Sequence, residues 1–150
     1  MELIPDFKEF IQLLNENKIE YLVVGGIAVI LHGYPRYTID IDFWVNPTKE
    51  NAKKLIKTLD LFGFHFDNLT EEDLSKDDQI IQLGFPPNRL DIITSVNGLV
   101  FKECFKRKIL YKFENDDLTI NLISKEDLIK NKLATGRSQD IADVDNLPDD

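Results

Sequence analysis

The chain has 150 residues, 43% of them hydrophobic and 30% charged, with a formal net charge of −9. That is enough for one globular α/β domain, expected to span 1–150, with a core that needs no covalent staples. The acidic balance argues against binding nucleic acid through overall charge, because polyanion binding draws on a basic surface.

The first segment, MELIPDFKEF, lacks the basic start and apolar core of a signal peptide. Asp6 to Asn17 has apolar residues at Phe7, Phe10, Ile11, Leu13 and Leu14, a helical periodicity opened by Pro5 and Asp6 as a cap. Ile19 to Val24 (IEYLVV) is β-branched and aromatic and reads as a buried strand. Gly25-Gly26 breaks it, Ile27 to His32 is a short helix, and Gly33 ends that helix. The apolar run Tyr21 to Leu31 holds two glycines and falls short of the roughly 20 residues that a membrane span needs. No membrane contact is expected, and the expected location is the cytoplasm.

Thr38 to Val45 is the second strand, and Asn46-Pro47-Thr48 turns the chain into a helix from Lys49 to Leu61, stopped by Gly63. Phe64 to Asp78 is acidic and reads as a short strand and one helical turn. Gln79 to Leu83 and Arg89 to Thr94 form a hairpin about Pro86-Pro87-Asn88. Leu99 to Arg107 is an amphipathic helix carrying Cys104. One cysteine makes no internal disulfide, which suits a reducing compartment, and it reads as a small buried hydrophobe. The basic group Lys102, Lys106, Arg107, Lys108 and Lys112 reads as a solvated helix face. Lys108 to Phe113 and Leu118 to Ile123 are strands around Asn115-Asp116-Asp117. Ser124 opens a helix with Asp127 at capping-box spacing, and a last helix runs from Ser138 to Leu147. Interleaved strands and helices with hairpins predict a mixed sheet flanked by helices.

Within the second strand, the segment IDIDFWV sets Asp40 and Asp42 among core residues, although aspartate is a poor strand former. Residues two apart on a strand share a face, so Asp40, Asp42 and Trp44 point one way and Ile39, Ile41, Phe43 and Val45 the other. An edge strand with one wet face has the same pattern. Two such carboxylates also suit Mg²⁺ or Mn²⁺, hard cations that take oxygen ligands. Gly25-Gly26 reads either as a turn or as a place where a phosphate approaches bare backbone at a helix start. Asp91, between Leu90 and Ile92, puts a third carboxylate among apolar neighbours. Three carboxylates from two strands suit a two-metal phosphoryl-transfer site.

The glycine pair, the short helix, HGYPRYTIDIDFWV, the aspartate of RLDII and the tail KEDLIKNKLATGRSQDIADV together resemble the nucleotidyltransferase superfamily with the polymerase-β-like fold. More narrowly they resemble small bacterial nucleotidyltransferases related to the toxin half of AbiE-type toxin–antitoxin pairs. The resemblance covers about Tyr21 to Leu147. It implies an enzyme that moves a nucleoside monophosphate group, as from ATP, to an acceptor hydroxyl with release of pyrophosphate. Gly25 and Gly26 would hold the phosphates, Asp40 and Asp42 would bind metal, and Asp91 would complete the metal site near the acceptor. The family often has Gly-Ser at the glycine pair, whereas here the second residue is Gly26, which leaves the contact to backbone. The resemblance also implies that Lys132 neutralises phosphate charge and that Asp140 orients a substrate group or Arg137; a salt-bridged charged face is the other reading of these two.

Arg36 reads as a triphosphate ligand or as ordinary surface charge. His32 is expected at a cap or core edge, His65 in a structural role, and Trp44 under a neighbouring helix rather than against a base. The acceptor is left open among tRNA, a protein and a small molecule, with a partner subunit or antitoxin as a possible companion. A non-catalytic nucleotide-binding protein that keeps the fold and an antibiotic-modifying transferase are the rival readings.

Overall fold

The computed structural model describes residues 1–38, 40–85 and 88–149. Ile39 and the Pro86-Pro87 part of the expected turn lie outside the described residues. Helix α1 (Pro5–Glu16) begins with Pro5, where a missing N–H costs nothing, and buries Phe7, Phe10, Ile11 and Leu14 as its periodicity requires. Ile4 holds the cap position, so Asp6 sits inside the first turn instead of capping it, where its charge suits the helix dipole. Strand β1 (Tyr21–Val24) is buried throughout. Helix α2 (Gly25–Leu31) follows it directly, so the glycine pair is the first turn of the helix and not a break before it.

Strand β2 (Asp40–Val45) leads to α3 (Lys49–Phe62), which Thr48 caps by accepting from the Asn51 N–H at 3.2 Å. The expected strand after Gly63 is not among the described elements. Phe64 packs on Phe62 and lies parallel to Phe66, and the segment ends in a 3₁₀ turn, Asp73–Ser75, that buries Leu74. Strands β3 (Ile80–Leu83) and β4 (Arg89–Ile93) form the expected hairpin. Helix α4 (Phe101–Lys106) is shorter than the sequence suggests because Val100 is extended. Strands β5 (Ile109–Phe113) and β6 (Leu118–Leu122) pair antiparallel. Helices α5 (Lys125–Thr135) and α6 (Ser138–Asn146) close the described chain. Ser124 caps α5 through the Asp127 N–H, while the Asp127 carboxylate takes Arg107.

The six strands form one mixed sheet in the order β3-β4-β2-β1-β6-β5. β2 lies between β1, antiparallel to it, and β4, parallel to it. Its two faces have different fates. Phe43 is fully buried and meets Phe10 of α1 edge-on, with ring centres 5.3 Å apart, and Tyr21 at 5.8 Å. On the opposite face Phe101 of α4 covers Trp44, whose ring N–H donates to the Thr94 carbonyl at 3.3 Å. Trp44 is therefore a core residue, which leaves the two aspartates before it at the uncovered end of the strand. Among the described residues no helix is long and apolar enough to cross a membrane.

Phe43 joins α1 to the strand that carries the aspartates. Phe43→Ala is expected to cost about 3–5 kcal/mol, because the transfer and cavity terms add. Urea unfolding should show a lower midpoint with an unchanged slope.

Candidate active site

The parallel pairing of β2 with β4 sets Asp42 directly opposite Asp91 and Asp40 opposite Arg89. Asp40, Asp42 and Asp91 each offer a carboxylate oxygen, and these oxygens lie within 4.8 Å of one another. Asp40 and Asp42 are half-buried and Asp91 is buried. Such crowding is unfavourable for three full negative charges. Burial, helped by the charges of Asp40 and Asp91, pushes the Asp42 carboxyl up from its ordinary value to about 7. Burial also raises Asp91, against the pull of its bonds to Arg89.

Arg89 forks across the cluster. Its Nε donates to Asp91 Oδ1 at 3.0 Å, and its Nη2 donates to Asp91 Oδ2 at 3.1 Å and to Asp40 Oδ2 at 2.5 Å. The sequence reading passes over this residue. The signal was present, since Arg89 is two residues before Asp91 on a strand and must share its face.

The glycine corner lies against the same cluster. Gly25 has φ +68°, and a Cβ there would sit 2.1 Å from Asp42 Oδ2. Any other residue would be strained and would also displace the carboxylate. A Cβ on Gly26 would sit 2.7 Å from Thr38 Oγ1. The glycines, the three aspartates, Arg36 and Lys132 line one cavity of about 430 Å³. Asp140 borders an adjoining cavity of about 300 Å³, which shares Gly25, Asp42, Lys132 and Arg137 with the first.

Lys132 is buried, and its ammonium lies 3.2 Å from Asp140 Oδ1 and 3.0 Å from Asp143 Oδ2. Asp143 is fully buried; it also accepts from Arg36 Nε at 2.8 Å and Nη2 at 3.1 Å, and from Gln139 at 2.9 Å. Arg36 is thus no ordinary surface charge, because α6 holds it by a two-point fork. Asp140 also accepts from the Arg137 backbone N–H at 3.1 Å and from its guanidinium at 2.9 Å, so it holds Arg137 as well as Lys132. Burial alone would raise the Asp140 and Asp143 carboxyls. Arg137 and Lys132 outweigh it at Asp140, and Arg36, Lys132 and Gln139 at Asp143, so both are held below the usual carboxylate range. The hub role of Asp143 is missed by sequence reasoning, which sees only its place one turn from Asp140.

Other residues lie outside the cluster. His32 Nε2 is 2.7 Å from the Ile123 carbonyl, at a core edge. His65 is exposed between Asp60 and Asp67. Cys104 is buried, and burial, then Asp127, pushes its thiol up to about 11. In the basic group, Arg107 pairs with Asp127, Lys108 lies over Phe105 and Lys112 pairs with Asp117.

The helix-flanked mixed sheet is shared with a solved structure. A candidate nucleotidyltransferase from Thermotoga maritima superposes with a TM-score of 0.60 at 16% identity, over 91% of this chain and 86% of that one. At that identity the likeness is one of fold. Residues 2–147 match the family described as "Nucleotidyltransferase of unknown function (DUF6036)", and the chain belongs to that family. No curated protein matches the chain.

The raised Asp42 carboxyl sets a pH dependence. The folded chain holds this proton more tightly than the unfolded chain, so the stabilisation is complete below about pH 4 and is lost as pH rises towards 7. With chelator present, Asp42→Asn should be about 2–4 kcal/mol more stable than wild type at pH 8, with the two converging near pH 4. Urea titrations across pH test this. Gly25→Ala should cost about 1–2 kcal/mol in backbone strain, read as a lower urea midpoint, because its Cβ would also meet the Asp42 carboxylate.

Proposed function

We propose that the chain transfers a nucleoside monophosphate group from a nucleoside triphosphate to an acceptor hydroxyl, releasing pyrophosphate, and that it does so with Mg²⁺ or Mn²⁺. The observation that carries this reading is the convergence of Asp40, Asp42 and Asp91 within 4.8 Å beside the Gly25 corner, in a chain of a nucleotidyltransferase family. The donor set fits a hard divalent ion, since all three ligands are carboxylate oxygens.

The divalent ion would supply charge neutralisation at the α-phosphate and at the leaving pyrophosphate. The protein's own residues supply the remaining chemistry. Asp40, Asp42 and Asp91 hold the ion. The backbone at Gly25 and Gly26 lets the phosphates approach where side chains would block them. Arg36 and Lys132, set in place by Asp143, meet the triphosphate charge, and Asp140 orients Arg137 at the cavity wall. The acceptor oxygen forms a bond to the α-phosphorus as the bond to the pyrophosphate oxygen breaks, and Asp91 receives the acceptor proton. Positioning and fixed charge account for most of the rate.

The finer family relation belongs to the same reading. The tail KEDLIKNKLATGRSQDIADV supports kinship with AbiE-type toxins, with residues 1–150 acting as one domain in the cytoplasm, a macromolecular acceptor such as tRNA or protein, and a neutralising antitoxin. The test is incubation with each α-labelled nucleoside triphosphate, Mg²⁺ or Mn²⁺ and a cell lysate. One molecule should acquire label, and Asp42→Asn should lower the rate at least about 10³-fold, the scale of losing a charge-stabilising group in a transition state. If no molecule is labelled and Asp42→Asn gives the same result, the transfer reading fails. Nucleotide binding without labelling would favour the non-catalytic alternative.

A further inference from the structure

The carboxylate cluster already has a cation inside it. Arg89 binds both oxygens of Asp91 and one of Asp40, and it comes from the strand position directly opposite Asp40. A divalent ion held by Asp40 and Asp91 needs oxygens from the same two groups, and it would lie beside a guanidinium that carries charge at every working pH. The two cations repel, and the lone pairs that Arg89 occupies are withdrawn from the ion. The side chain has room to leave, since it borders the cavity of about 430 Å³ and is 26% exposed.

We infer that Arg89 is the resident counter-ion of the aspartate cluster, and that a divalent ion binds by displacing its guanidinium from Asp40 and Asp91. This rests on the metal-site reading above. Arg89 thereby sets the metal affinity of the chain. It offsets one of the two charges of Asp40 and Asp91 while no ion is bound, and it keeps the site from taking up divalent ions as avidly as three bare carboxylates would. A structural strut makes the opposite prediction, because removing it loosens the ligands and weakens metal binding. An arginine whose task is only to contact substrate makes a third prediction, that its removal leaves metal affinity unchanged.

The test is Mn²⁺ binding to the full chain without nucleotide, followed by the electron paramagnetic resonance signal of free Mn²⁺. The proteins are wild type, Arg89→Met, Arg89→Lys and Asp42→Asn, each checked for folding by circular dichroism. Arg89→Met is expected to bind Mn²⁺ about tenfold more tightly than wild type, and Arg89→Lys, which keeps the charge but loses the fork, about threefold. Metal-free Arg89→Met should melt below wild type, and saturating Mn²⁺ should raise its Tm by more than it raises that of wild type. Should Arg89→Met not fold, Arg89→Lys alone decides the sign. Unchanged or weaker binding in the Arg89 variants, with wild-type binding that Asp42→Asn removes, overturns the role of Arg89 and leaves the metal site standing. Absence of Mn²⁺ binding in every protein overturns both.

Discussion

Three carboxylates pressed together on adjacent parallel strands are the constraint around which this end of the molecule is organised. Like charges opposite one another weaken a strand pair, and here Asp42 faces Asp91 across the ladder, with Asp40 one step along. The surroundings answer that repulsion in three ways. Asp42 keeps a proton up to about pH 7. Arg89 is spread over Asp40 and Asp91. The cluster also stands at the open end of the sheet, past the point where α4 covers Trp44. Even the glycine at the start of α2 answers to it, because the Asp42 carboxylate stands where a Cβ would go.

A second group of charges serves the cavity from the other side. Lys132, Arg36 and Arg137 are held by Asp140 and Asp143, both essentially buried. Buried ion pairs repay their desolvation poorly, so such a network adds less to stability than an apolar cluster of the same volume. What it gives is position. The loop before β2, which carries Arg36, is tied to α6 by a fork from Arg36 to Asp143, more than a hundred residues along the chain. The basic wall of the cavity is therefore held by the protein's own ion pairs. This suits a site whose work is placement and charge compensation.

Much of the layout is legible along the chain. The apolar spacing of α1 and the continuous burial of β1 appear as the sequence suggests. So do the hairpin of β3 and β4, the Asn46-Pro47-Thr48 turn into α3 and the separate helices α5 and α6. Other boundaries differ. Asp6 reads as a cap because it follows Pro5, yet the helix begins at Pro5. The stretch from Phe64 reads as a short strand, but there Phe64 packs on Phe62 and Phe66 stacks on Phe64. Gly25-Gly26 reads as a break, yet β1 runs straight into α2, which needs only a positive φ at Gly25.

What the sequence determines by itself follows from strand periodicity. Asp40 and Asp42 must share one face of a strand whose other face is apolar, and Arg89 and Asp91 must share a face of theirs. Whether those two faces are the same face, and at what register, only the tertiary structure decides. The strands are distant in sequence and pair in parallel, so no turn sets their alignment. A slip of one residue would carry Asp91 to the far side of the sheet. The register observed brings the three carboxylates together, puts Arg89 beside Asp40, and makes a shared site of what are otherwise two unrelated pairs of residues.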